Sequence, residues 1–172
     1  SLNAIKIQNF DKTFATIPTH DLVTTALVNW RGMKEAGGRR IKRDVCVDTN
    51  TIKFCDSELL NKLSKLKYLS EYIEHKKYVY KLKQDDQKLV TFESEFTNIN
   101  LYRIYIKNYL DNRSDIQSAQ FTFMVRQLRP TPNGLPIELY IFTKTIDWVT
   151  YEEIQSDIFD HIISILPFFE LK

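Results

Sequence analysis

Asn29-Trp30-Arg31-Gly32-Met33-Lys34-Glu35-Ala36-Gly37-Gly38-Arg39-Arg40-Ile41-Lys42-Arg43 separates two unlike parts of the chain. It holds three of the four glycines, and six of the 24 Lys and Arg residues against a single acid. Glycines accept backbone conformations that other residues resist, so Gly32, Gly37 and Gly38 mark a bend. From Ile41 an alternation begins, with Ile41, Arg43, Val45 and Val47 on one side of a strand. Arg39, Arg40, Lys42 and Arg43 therefore open that strand. Two readings of the stretch compete. A phosphate clamp needs basic side chains converging on a phosphate path. A charged joint between two pieces of structure needs only solvent.

On the N-terminal side, Ala4 to Phe10 alternates apolar and polar residues, Asp11-Lys12 suits a tight turn, and Thr13 to Pro18 reads as the partner strand. Ala26 to Trp30 reads as a third short strand, with Trp30 an apolar anchor for the outgoing chain. Three short strands bury little by themselves, so residues 1–36 read as the end of a small β-domain that has lost its beginning. The chain also starts at Ser1 and runs directly into a strand, which suggests a piece of a longer protein.

On the C-terminal side, residues 37–172 alternate strand, helix, helix, strand, strand, helix. Asp56 or Ser57 caps a helix whose apolar face runs through Leu59, Leu60, Leu63, Leu66, Leu69 and Ile73. A helix from Asn98, its cap, carries Tyr102, Tyr105 and Tyr109 as a packing stripe. Phe121 to Leu128, with Phe121, Phe123 and Val125 on one face, and Leu135 to Thr143 form a hairpin around Pro130 to Gly134. The last helix begins with a capping box at Thr150 to Glu153 and ends at Pro167. This order predicts an α+β sandwich: helices on one face of a small mixed sheet of ferredoxin-like layout.

The net charge of +2 implies no polyanionic partner by itself. The charge is local, net +5 over residues 31–43 on a body that is otherwise net −3. Cys46 and Cys55 form neither a zinc pattern nor a disulfide framework, and Cys46, flanked by Val45 and Val47, reads as a small buried hydrophobe. No apolar run reaches the roughly 18–20 residues of a membrane span. No nucleophile–base constellation is present: His20, His75 and His161 stand in unrelated contexts. Asp157 and His161, four apart on a helix, could share a metal, but such pairs more often make a solvated helix face. The sequence thus points to no enzyme, no cofactor and no metal. The basic stretch with Phe121 and Phe123 leaves a nucleic-acid-binding α+β domain as the alternative function.

Larger segments carry a resemblance. Phe10-Asp11-Lys12-Thr13, Thr16-Ile17-Pro18-Thr19-His20, Asn29 to Met33 and Gly37 to Arg43 resemble bacterial mechanosensitive channels of the small-conductance superfamily, most closely its miniconductance branch. Met124 to Leu128, Gly134 to Glu138 and Ile154 to His161 agree, in order, so the resemblance runs from near residue 5 to the end. It implies a tension-gated channel of the bacterial inner membrane that releases solutes on hypo-osmotic shock. It also implies seven identical subunits, contact with membrane lipids through N-terminal helices absent from this sequence, and no nucleic-acid partner. This chain would be the cytoplasmic part: the end of an Sm-like β-domain in residues 1–36, then the α/β domain of a hollow vestibule. Asn29, Trp30, Arg31, Gly32, Gly37, Gly38, Arg39, Arg40, Lys42 and Arg43 would form the junction between them. The segment from about Lys65 to Asp86 is longer than the smallest family members have there. With its β-domain incomplete, the isolated chain is expected to be monomeric or weakly associated.

Overall fold

A computed structural model of the chain describes residues 4–9, 12–24, 33, 37–82 and 95–172. Contacts divide the chain into two compact units, Ser1–Ala36 and Gly37–Lys172. In the first, β1 (Ala4–Gln8) pairs antiparallel with β2 (Phe14–Pro18), Ile5 opposite Ile17. Lys12 makes the turn at φ 71°, and its N–H donates to the Asn9 carbonyl at 3.1 Å. A short helix, α1 (Thr19–Thr24), follows. The third strand expected over residues 26–30 lies outside the described residues.

In the second unit, β3 (Arg39–Val47) and β6 (Leu135–Thr143) form a long antiparallel ladder. Along the other side of β6 run β4 (Ile116–Gln117) and β5 (Met124–Gln127), both antiparallel to it. The expected mixed sheet is therefore corrected: every described pairing is antiparallel. β3 and β4 do run in the same direction, but β6 lies between them. The expected strand over 121–128 is shortened for a related reason. Residues 118–123 separate the Gln117–Phe142 pair from the Met124–Tyr140 pair, while β6 advances by only two residues. The extra chain leaves the ladder, as at a large bulge, and carries Phe121 with it.

One face of this sheet meets the helices α2 (Ser57–Leu63), α3 (Ser70–Leu82), α4 (Asn98–Asp111) and α5 (Trp148–Ser164). Ile41, Val45 and Val47 of β3 and Ile137, Leu139 and Ile141 of β6 share a buried core with Leu59, Leu63, Ile73, Ile106 and Ile158. The leucine run from Leu59 to Ile73 is not one helix. Bonds of the i→i−3 type, Leu66 N–H to Leu63 and Leu69 N–H to Leu66, tighten the chain between α2 and α3. The bend lets Leu69 and Ile73 enter the same core as Leu59 and Leu63.

Helix starts follow the side-chain chemistry, the first as the sequence offered it and the next two shifted. Asp56 caps α2 by accepting the Leu59 N–H at 2.8 Å. Thr97, not Asn98, caps α4. Asn98 is fully buried instead, and its amide ties four groups. Its Oδ1 accepts the N–H of Lys53 at 3.0 Å and of Ile99 at 2.9 Å. Its Nδ2 donates to the carbonyls of Thr51 at 2.9 Å and Phe169 at 3.2 Å. Asp147, three residues before the expected box, caps α5 through the Thr150 N–H at 2.9 Å.

Candidate functional site

The alternation of β3 decides where the basic residues go. Gly37 has φ 72°, and the Gln117 amide donates to its carbonyl at 3.4 Å. Gly38 is buried; a Cβ there would stand 3.1 Å from the Thr143 carbonyl and 3.3 Å from the Phe121 ring. Past this close approach, odd residues face the helices. The Arg39 guanidinium lies 4.6 Å from the Tyr151 ring centre, and that of Arg43 lies 4.2 Å from Phe159, both on α5. Even residues face the other way. Arg40 stands over Tyr140, donating to its hydroxyl at 3.4 Å, and Lys42 is exposed opposite Tyr140 in the ladder. The strand thus sends its four cations to two opposite faces rather than along one path. Asn29, Trp30, Arg31 and Gly32 lie outside the described residues.

The second face of the sheet carries Arg40, Lys42, Asp44 and Cys46 of β3 beside Phe142, Tyr140, Glu138 and Pro136 of β6. Met124 and Arg126 of β5 continue it, and the Phe121 ring covers Phe142 at 4.8 Å between centres. Phe121, Tyr140 and Phe142 stay half-buried, outside the core cluster. Glu138 is the exception, a buried carboxylate held by Arg126 at 2.7 Å. Cys46, expected to be buried, is exposed on this face, because alternation puts it opposite Val45 and Val47. Cys55 is the buried thiol, and burial pushes its pKa up to about 11.

A polar cluster invisible as a motif lies between α4, α5 and β4. Arg113 donates to both carboxylate oxygens of Asp115, at 2.9 and 2.7 Å, to Asp157 at 2.6 Å and to the Tyr109 hydroxyl at 2.7 Å. His161 shares a hydrogen bond of 2.9 Å with the Tyr105 hydroxyl and stacks on Tyr109 with ring centres 4.2 Å apart. Asp157 and His161 therefore use separate partners. Among the described residues, no three His, Cys, Asp or Glu side chains gather where a metal could be held. The i, i+4 spacing showed the pair; only the fold could show that Arg113 would intervene.

The hydrogen bonds from Arg113 hold the Asp115 carboxyl below its ordinary value of 3.8, and burial holds His161 below 6.5. Both shifts are downward, so the unfolded chain binds the proton more readily. Stability is full above each ordinary value and is lost as pH falls through the lower folded-state value. Denaturant midpoints measured from pH 8 to pH 3 should fall first as pH drops below about 6.5, where the unfolded chain's histidine takes up a proton that folded His161 resists, and again in the carboxylate range. His161→Phe should flatten the first step alone. Arg113→Met should flatten the second and lower stability at neutral pH by about 2 kcal/mol.

Both units have open antiparallel sheets, and the second is an α+β arrangement with helices against one face of its sheet and charged and aromatic side chains on the other. No known protein-family model matches the chain. Among the described residues, no helix is long and apolar enough to cross a membrane.

Proposed function

We propose that this chain is the cytoplasmic part of a tension-gated ion channel that releases solutes on hypo-osmotic shock. One observation supports this reading most. The segments that carry the resemblance to small-conductance mechanosensitive channels lie far apart in sequence but gather in space. Arg39 to Arg43, Met124 to Gln127 and Leu135 to Glu138 lie on β3, β5 and β6, with β3 and β5 each paired to β6, and Ile154 to His161 lie on α5, which packs against β3. A resemblance confined to scattered surface residues would not assemble a contiguous unit in this way. In this reading, residues 1–36 end an Sm-like β-domain, and Gly37–Lys172 form one wall segment of a seven-subunit vestibule. Membrane helices N-terminal to this sequence line the pore and contact lipid. The chain itself performs no chemistry; it assembles and supports.

The glycines and arginines of the junction fit the joint better than the clamp, since Arg39 and Arg43 rest on aromatic rings of α5 while Arg40 and Lys42 point away from them. Expressing the full-length protein in cells lacking their own mechanosensitive channels tests the proposal. Survival of a hypo-osmotic downshift and tension-evoked patch currents are the expected results. If both match the empty-vector control, the channel reading is wrong.

A further inference from the structure

Asn133-Gly134 is the one Asn-Gly pair in the chain. This dipeptide carries a reaction of its own. The glycine nitrogen, unhindered because its residue has no side chain, can attack Cγ of the preceding asparagine. The N–Cγ bond forms, the Cγ–Nδ2 bond breaks, and ammonia leaves with the proton of the glycine nitrogen. Water then opens the five-membered imide. Opening at Cγ gives aspartate. Opening at the main-chain carbonyl gives isoaspartate, whose backbone runs through Cγ and is one methylene longer. No electrons change hands, and water is the sole co-reactant. The turn holds this nucleophile out of use. Gly134 is buried, and its N–H donates to the Thr131 carbonyl at 3.0 Å. Thr131 closes the turn with three further bonds. Its N–H and its hydroxyl donate to the Gly134 carbonyl at 2.8 and 3.1 Å, and the same hydroxyl accepts the Asn133 N–H at 3.2 Å. A nitrogen whose proton is engaged by a carbonyl inside a closed turn is neither deprotonated nor free to swing toward Cγ. Asn133 itself is exposed, so the side chain of the pair meets water while the nitrogen does not.

The isoaspartate product fits the fold worse than the asparagine does. A single Cβ added at Gly134 would come within 2.9 Å of the Val47 carbonyl carbon. A main-chain methylene inserted just before Gly134 pushes on the same contact, and with it on the pairing of Leu135 with Val47. We propose that Asn133-Gly134 is a spontaneous modification site gated by the fold: it converts to aspartate and isoaspartate only while the turn is open, and the isoaspartate form then keeps the turn from closing. The conversion therefore records, irreversibly, each molecule in which the start of β6 has opened. It depends on the turn alone and stands apart from the channel reading.

Peptide mapping by mass spectrometry, on the purified chain incubated at mildly alkaline pH, follows the reaction. Loss of the Asn133 amide should run about tenfold or more slower in the folded chain than in urea. Thr131→Ala removes the two hydroxyl bonds and should speed the loss severalfold in the folded chain, with the rate in urea unchanged. Thr131→Ser keeps the hydroxyl and should match the wild type. Hydrogen exchange at the Gly134 amide should accelerate in Thr131→Ala together with deamidation, because both require the same opening. The isoaspartate form, isolated by chromatography, should melt below Asn133→Asp, which carries the same charge on a backbone of normal length. Equal rates in the folded chain and in urea overturn the gating, as does an amide loss that does not follow exchange at Gly134. No conversion in urea overturns the site itself. An isoaspartate form as stable as Asn133→Asp overturns the one-way step.

Discussion

Gly134→Ala should be the most damaging single methyl group that can be added to this chain. Gly134 closes the turn before β6, where its N–H and carbonyl exchange hydrogen bonds with Thr131 at 3.0 and 2.8 Å. Its φ is 124°, outside the range that alanine adopts without strain. A Cβ there would also collide with the Val47 carbonyl group, coming within 2.9 Å of its carbon. The obstacle is the backbone of β3, which is locked in the ladder by Val47 opposite Leu135 and cannot rotate away as a side chain would. The strained conformation alone costs about 1–3 kcal/mol, and displacing a central ladder adds to it. We expect a loss of about 4 kcal/mol in chemical denaturation and a fall in Tm of roughly 10–15 °C. A loss below about 1 kcal/mol would mean that the close approach of the turn to β3 is wrong.

Asn98→Leu should come next, although it preserves size and adds apolar surface. The Asn98 amide satisfies the N–H of Lys53 and the carbonyls of Thr51 and Phe169, binding the segment after β3 and the end of the chain to the start of α4. Leucine would fill the space and leave those backbone groups without that partner in a buried site. Each such group costs about 1–3 kcal/mol, so a total of about 3–4 kcal/mol is expected after partial relaxation. Asn98→Asp separates the two halves of the amide's role. It keeps the acceptor for Lys53 and loses the donor to Thr51 and Phe169. Hydrogen exchange at the Lys53 amide should therefore accelerate much more in Asn98→Leu than in Asn98→Asp. Equal acceleration in both would show that the amide is not the tie.

Neither residue could be ranked so highly by inspection of the sequence. Gly134 reads as an ordinary turn glycine after Pro132-Asn133; its proximity to Val47 depends on β3 and β6 pairing across 87 intervening residues. Asn98 reads as an N-cap because Asn is a good one, and the neighbouring Thr97 took that role. Both cases share a cause. Local patterns state what a residue can do with its neighbours in sequence, and a stronger tertiary partner then changes the use.

The same distinction runs through the candidate site. Alternation in Ile41, Arg43, Val45 and Val47 determined from the sequence alone that β3 is a strand with its cations on both sides, and the two glycines determined where it begins. The helical faces of α2, α4 and α5 were likewise legible, because a period near 3.6 leaves few other ways to bury that many leucines, isoleucines and tyrosines. What the sequence could not state was which face of β3 would be covered. That was decided when the helices packed on one side of the sheet and left Tyr140, Phe142 and Cys46 on the other. Nor could it place β6 between β3 and β4, because strand order depends on long-range pairing that no local period encodes. Periodicity is a property of the chain; the partner that makes one face a core and the other a surface exists only once distant segments meet.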